Sequence, residues 1–480
     1  MNYKLIFSTV LKVIKIEAFL MLVPLLTSLI YKENCFYSFL ITIVVSFTVA
    51  HVIQKFIKDD NKHFYAKDGL ITVALTWIAV SLIGAIPFVI SGEIPSFIDA
   101  FFETVSGFTT TGASILSDVE SLSKGLLMWR SFSHFIGGMG VLVFIMAITR
   151  KTNDRPIHIL RAEMPGPIVS KLVPRAKDTA KILYLIYIAI TIVLTVMLLF
   201  GGMDLFESLT HAFGAAGTGG FGTKNDSIAS YSPYIQWTLA IGMLLFGVNF
   251  NLYYLLLLKK VGVVLKSTEL RTYFIIVLSS IAIITFNIYP LYNNFANAIR
   301  SATFQTSSIM TTTGYSTADF NAWPTLSKVV LFMLMFIGGC AGSTAGGLKV
   351  SRIIIAFKKI KAELKKLLYP NTVSVIKFEG EKLDESVSNG VGTYVIIYFI
   401  CFAILTILVS FNGLSFETTI SSVSACFNNI GPGFDLVGPM SNYSVFNGFS
   451  KVVLSIAMLL GRLEIYPLLL LMIPTTWKRK

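Results

Sequence analysis

The sequence predicts an all-α integral membrane protein, with two N-terminal helices followed by four M1-P-M2 repeats (helix, re-entrant pore loop, helix) around one central pore. Three observations predict it. Across 480 residues the composition is 54% hydrophobic and only 14% charged, more apolar side chain than a water-soluble fold buries. Ten apolar runs are each long enough, at roughly 20 residues, to span a bilayer. A hydroxyl- and glycine-rich stretch then recurs four times, always between two of those runs.

The apolar runs fall near 5–31, 36–57, 69–91, 124–149, 179–201, 234–258, 272–290, 325–357, 388–411 and 448–475. Lys4, Lys12, Lys15 and Glu17 are spread through the first run with no small-residue cleavage site after it, so it reads as a retained helix rather than a signal peptide. The division that follows is a helix pair over 1–60 and repeats over 61–155, 156–265, 266–385 and 386–480. Each repeat contains a segment too short and too polar to cross. An acid stands thirteen residues before a glycine in two of them, Asp99 to Gly112 and Glu207 to Gly220, and fourteen before it in the last, Glu417 to Gly431. Thirteen helical residues span about 20 Å, half a membrane. The acid then sits at the helix N-terminus, where the dipole favours negative charge, and the C-terminal end is left to face a cation.

Charge gives the orientation. The net charge of +13 would suit a nucleic-acid binder, but its distribution is that of a polytopic membrane protein. Most of the 39 Lys and Arg lie in the stretches Lys55 to Lys67, Arg150 to Lys181, Lys259 to Arg271, Lys349 to Lys382 and Lys478 to Lys480, all on the side of both termini. The other side keeps chiefly Lys32, Lys124, Lys224, Arg300, Lys328 and Lys451. By the positive-inside rule both termini are cytoplasmic and the re-entrant segments enter from outside. No nucleic-acid role is expected.

The four recurring stretches are Phe108-Thr109-Thr110-Thr111-Gly112, Thr218-Gly219-Gly220-Phe221, Thr311-Thr312-Thr313-Gly314-Tyr315 and Asn428-Asn429-Ile430-Gly431. Hydroxyls left unpaired in hydrocarbon are costly, whereas around a dehydrated cation they are useful. Backbone carbonyls can replace a hydration shell where no side chain crowds the axis, and glycine supplies that backbone. Gly112, Gly220, Gly314 and Gly431 are therefore candidate filter glycines, with Thr110, Thr111, Thr218, Gly219, Thr312, Thr313, Asn429 and Ile430 beside them. Helix packing or a simple turn is the alternative for any one of them. The second stretch, Thr218-Gly219-Gly220, leaves its glycine register open by one.

Two further features point to a gate. In the eighth run, Gly338, Gly339, Gly342, Gly346 and Gly347 fall within ten positions, together with Ser343. At up to about 1 kcal/mol per glycine they should break the helix. The break reads as a constriction over 338–347, or else as close packing of small residues. Arg462 lies inside the last run, where a charge costs at least about 2.5 kcal/mol; it reads as an electrostatic barrier, or as an ion pair with Glu464 or another acid. Arg130 in the fourth run reads as structural.

Nothing suggests catalysis. His51, His63, His134, His158 and His211 are dispersed without HExxH spacing, Cys35, Cys340, Cys401 and Cys426 make no CxxC, and Gly217 to Gly222 follows no strand and lacks GK[ST]. No organic cofactor is implied.

These stretches, with the Gly338 to Lys349 loop and Gly461-Arg462-Leu463-Glu464-Ile465, resemble the Trk/Ktr/HKT superfamily of potassium transporters, its TrkH-type branch above all. The resemblance covers essentially the whole chain, and the opening helix pair looks like the domain that separates TrkH from KtrB proteins. It implies K+ as the transported ion, four glycines coordinating it, residues 338–347 as an intramembrane gate and Arg462 beneath the filter. It also implies a homodimer in the bacterial inner membrane on cytosolic nucleotide-binding TrkA-type subunits. No filter glycine is replaced by serine, the plant variation associated with Na+ passage, which favours K+. The expectation is channel-like K+ uptake, with a proton- or sodium-coupled secondary transporter, a symport, as the alternative.

Overall fold

The computed structural model describes residues 2–57, 65–140, 176–371 and 375–477. Much of two basic stretches, 58–64 and 141–175, lies outside the described residues, as do His63, His158 and the C-terminal Lys478-Arg479-Lys480. The protein is almost entirely helical, and the strands among the described residues are the short antiparallel pair Lys377–Phe378 and Glu381–Lys382.

The opening helices Tyr3–Leu20, Leu22–Ile30 and Cys35–Phe56 pack against the first repeat. Glu33, between them, accepts hydrogen bonds from the backbone N–H groups of Lys124 (2.7 Å) and Gly125 (2.9 Å). Those are free donors at a helix start, and a carboxylate there also answers the dipole. The Tyr3 hydroxyl donates to the Trp477 carbonyl, so the two ends of the described chain meet.

Four units follow with one plan. Each begins with a long helix: Ala66–Ser91 (26 residues), Ala176–Phe200 (25), Thr268–Tyr292 (25) and Glu385–Ser410 (26). At 1.5 Å per residue these reach about 38 Å, enough to cross a bilayer. Each then has a half-length helix: Phe97–Phe108 (12), Leu205–Gly217 (13), Phe295–Met310 (16) and Phe416–Phe427 (12). Their N-caps Ser96, Asp204, Asn294 and Ser415 all accept from a first-turn N–H, and Asp99, Glu207 and Glu417 stand in that turn as the spacing predicts, with no acid in the third unit. Lys451 pairs with Asp99 at 2.5 Å and ties the fourth unit to the first.

The closing helices depart from the expectation of continuous spans. They are Lys124–Gly138, Pro233–Phe246, Thr325–Ile337 and Gly448–Arg462, of 15, 14, 13 and 15 residues. Sequence predicts a break only in the third. In fact all four stop after about four turns: at Gly138 to Gly140, at Gly247 to Asn249, at Gly338, and at Glu464-Ile465, both of which adopt positive φ (54° and 67°). The run 234–258 turns through 91° between Pro233–Phe246 and Phe250–Leu257. Six helices among the described residues are long and apolar enough to cross a membrane, or seven if that bent pair is one span.

Candidate functional site

The four glycine stretches meet. A β-carbon placed on Gly112 would strike the Gly219 carbonyl oxygen, one on Gly220 that of Thr313, and one on Gly314 that of Ile430; one on Gly431 would lie 2.7 Å from that of Thr111. The series runs from unit one to two, three, four and back to one, so the loops form a closed ring in chain order.

Local backbone explains how each loop reaches that ring. The half-length helices end alike, with i→i−3 and i→i−5 bonds: Thr110 N–H to Gly107 (3.1 Å) and Thr111 N–H to Ser106 (2.9 Å) in unit one. Thr218 to Ala215 and Gly219 to Gly214 repeat this in unit two, Thr312 to Ile309 and Thr313 to Ser308 in three, and Asn429 to Cys426 and Ile430 to Ala425 in four. This is a Schellman termination, usually built on glycine. Here Thr110, Thr218, Thr312 and Asn429 hold the left-handed residue at φ 55°, 57°, 56° and 56°. A β-branched residue in that region is a strained outlier. Two positions later Gly112, Gly220, Gly314 and Gly431 have φ 78°, 78°, 90° and 96°. That pattern makes Gly220, not Gly219, the counterpart of the other three and closes the register question.

The strain is braced. In unit one the Thr109 hydroxyl bonds Val105 O (2.6 Å) and the Thr111 hydroxyl (2.8 Å); in unit three Thr311 repeats this with Ser307 O and Thr313 at the same distances. Asn429 donates to the Thr111 hydroxyl (3.0 Å) across the ring's closing seam.

Residues that the sequence reading set aside hold the ring from behind. Phe221 N–H donates to His134 Nε2 (3.3 Å), which requires the proton on Nδ1, and Nδ1 donates to Gly107 O (2.7 Å). One neutral imidazole thus clamps units one and two. Arg130 forms a buried ion pair with Glu103 (2.8 Å) and lies 4.1 Å from the centre of the Phe221 ring, while Glu103 also accepts from Ile115 N–H (3.0 Å). Arg130 is structural, as expected, but Glu103 was missed. Its only sequence signal was an acid on the buried face of a half-length helix. The Tyr315 hydroxyl lies within reach of His211 O (3.2 Å) and Phe221 O (3.3 Å), and the Tyr443 hydroxyl donates to Gly431 O (2.6 Å).

The loops beyond the ring bond unit to unit at one end of the molecule, through Asn225 to Asp118, Ile228 to Ser316, Asn321 to Asp435 and Tyr443 to Ser114. The Asp435 carboxylate accepts from the hydroxyls of Ser415 and Thr418, and these two bonds, Ser415's first, hold it below the usual carboxylate range. A depressed carboxylate stabilises above its unfolded-state pKa and ceases to as pH falls through the folded one. Asp435→Ala is therefore expected to lower the melting temperature of the purified protein at neutral pH, with the gap to wild type narrowing in acid. Melts of both proteins over a pH series check this, and a gap independent of pH would remove the charge from the account.

The predicted gate residues come together on the side where the half-length helices end. The chain leaves helix Thr325–Ile337 at Gly338, folds back and resumes as helix Val350–Leu368. Leu348, Lys349 and Val350 N–H groups return to the carbonyls of Phe336 (3.1 Å), Ile337 (2.9 Å) and Gly339 (3.0 Å), so the loop is a closed lasso. Gly338, Gly342 and Gly347 have φ 73°, 71° and 75°, and the Ser343 hydroxyl donates to Cys340 O (2.7 Å). Gly346 N–H donates to the Thr312 hydroxyl (2.6 Å), and a side chain on Gly346 would strike Asn428 O, so the loop touches the ring itself. The unforeseen break at Gly247 receives it: Cys340 N–H donates to Gly247 O and Phe250 N–H to Gly342 O, both at 3.0 Å.

Arg462 reaches from the fourth unit to Thr344 O in the third (2.9 Å), and to Gly137 O and Gly138 O (2.7 Å for the latter) in the first. Units one and three are opposite members of the ring, so the guanidinium lies where they approach. Glu464 instead pairs with Arg352 at 2.5 Å.

A membrane-embedded ring of four like loops with a polar lasso against it defines a transport protein. The comparisons agree. The model of the TrkH family, cation transport proteins, matches residues 37–479, and the chain belongs to that family. It is 35% identical over 465 residues to the Trk system potassium uptake protein TrkH of Escherichia coli K12, covering 95% of this chain and 96% of that one. It is 34% identical over 467 residues to the TrkG protein of the same strain, over 95% of both chains. The crystal structure of the potassium transporter TrkH from Vibrio parahaemolyticus superposes with a TM-score of 0.89 at 31% identity, covering 100% of both chains. Membership makes this a multi-pass transporter rather than an enzyme.

Proposed function

We propose that the protein takes up K+ across the bacterial cytoplasmic membrane by channel-like conduction down the electrochemical gradient. The observation that carries the reading is the cyclic closure of the glycine ring. Four backbones approach there with no side chain between them, the condition for main-chain oxygens to replace the water around a monovalent cation. The carbonyls at Thr111, Gly219, Thr313 and Ile430 are the oxygens we assign to K+, and the left-handed Thr110, Thr218, Thr312 and Asn429 aim them. Membrane potential supplies about 2.3 kcal/mol per 100 mV for each inward charge.

The lasso 338–349 and Arg462 form the gate in this reading, the lasso as plug and the guanidinium as barrier. The repeats divide near 60, 155, 265 and 385, both termini are cytoplasmic, and two copies assemble on a cytosolic nucleotide-binding TrkA-type subunit that controls the plug. The names of the relatives, as potassium uptake proteins of a Trk system, support the ion and the existence of further components.

Rb+ and Na+ flux into proteoliposomes of the purified protein tests the proposal. Uptake that follows an imposed potential and favours Rb+ is expected. Flux in strict stoichiometry with H+ or Na+ would instead establish the coupled transporter. Arg462→Ala is expected to raise Rb+ flux several-fold, because the side chain bridges two opposite units through the carbonyls of Thr344, Gly137 and Gly138; unchanged flux from folded protein would remove it from the pathway.

A further inference from the structure

We infer that Glu269 is the positioning residue that staples the lasso shut, and that Glu379 of the short hairpin holds the staple in place. The inference rests on the gate reading above and adds the residues that set the gate's resting state.

Glu269 lies in the first turn of helix Thr268–Tyr292 and is 5% exposed. A single oxygen, Oε1, accepts from Ala341 N–H on the outgoing limb of the lasso (2.7 Å) and from Ser351 N–H just beyond its return (3.1 Å). One acceptor therefore fixes the two limbs to each other and to an outer helix. Both N–H groups are buried, so removing that oxygen would leave two backbone donors without a partner. The lasso's contacts on its other flanks, with Thr312, Gly247 and Arg462, press it toward the ring but do not join its limbs.

The staple's own position is set from elsewhere in the sequence. Glu379 sits at the tip of the hairpin Lys377–Phe378 and Glu381–Lys382, at φ 49°. Its carboxylate accepts from the Glu269 N–H (2.8 Å), the Thr268 N–H (3.1 Å) and the Ser267 hydroxyl (3.1 Å). It occupies the start of the helix that carries Glu269, where a negative charge is stabilised. The hairpin follows helix Val350–Leu368, which continues directly from the lasso. A pull on this basic segment reaches the plug along two routes: through the chain at Val350, and through Glu379 to Glu269.

The test uses the full chain in proteoliposomes without a partner. Glu269→Ala removes the acceptor, whereas Glu269→Gln keeps a carbonyl oxygen able to receive both N–H groups. Expected for E269A is Rb+ flux raised roughly tenfold, the scale set by leaving two buried backbone N–H groups without their acceptor, with the Rb+/Na+ ratio unchanged because the ring is untouched. E269Q should stay near wild type, and E379A should move in the same direction as E269A by less. Modification of the buried thiol of Cys340 by a permeant maleimide, in a C401S background, should quicken in parallel. Should E269A fail to fold, E379A is read in its place.

If flux and Cys340 labelling are both unchanged in folded E269A while loop deletion raises flux, the staple is wrong and the gate stands. If labelling quickens while flux does not, the staple stands and the gate reading fails. E269Q leaking like E269A would overturn the role of the acceptor oxygen.

Discussion

Gly314→Ser is expected to lower selectivity for K+ over Na+ by about tenfold or more, the factor that accompanies 1.4 kcal/mol. Two costs act at this position. Gly314 has φ 90°, in a region that side chains rarely adopt, at a penalty of roughly 1–2 kcal/mol for an L-residue. The new β-carbon would also meet the Ile430 carbonyl oxygen and come within 3.0 Å of Pro432 Cδ. The first of these is backbone, which cannot rotate aside, so the third and fourth loops must separate and the oxygens between them shift. An ion held by spacing of oxygens is discriminated less well when that spacing changes. Bi-ionic flux with K+ or Rb+ against Na+ measures it, and unchanged selectivity would take Gly314 out of the ion's coordination.

Deleting Gly342 to Gly346 is expected to produce the largest rise in flux of any change considered. The deletion removes the carbonyl that receives Phe250 N–H, the N–H that bonds the Thr312 hydroxyl and the Thr344 carbonyl that anchors Arg462. The limbs can still close, since Leu348, Lys349 and Val350 return to Phe336, Ile337 and Gly339 outside the deleted residues. The expected protein is thus folded, retains its ring and conducts without regulation. Liposome flux with and without a cytosolic partner checks it, and silence in both would return this segment to a packing role.

The two deletable and substitutable sites were legible in the sequence for different reasons. The ring was legible because its chemistry is local: Thr-Thr-Thr-Gly says what the backbone needs whatever packs around it, and repetition said how many times. The left-handed threonines were not, because propensity argues against them; hydroxyl bonds such as Thr109 to Thr111 and Thr311 to Thr313, with contacts between units such as Asn429 to Thr111, make that conformation tolerable. The lasso was legible from five glycines. The breaks at Gly138 and Gly247 were hidden, since one or two glycines in an apolar run read equally as helix packing. Glu269, Glu379 and Glu103 were hidden more deeply. Each acts on backbone donors or a cation tens to more than a hundred residues away, and no spacing rule points to such a partner.

The ring has one further implication. Every seam in it, including the last from Gly431 back to Thr111, is made within a single polypeptide. If the ring coordinates K+ as proposed, a second copy has nothing to contribute to it, and a pair of molecules would hold two independent conduits side by side, each able to fail without silencing the other.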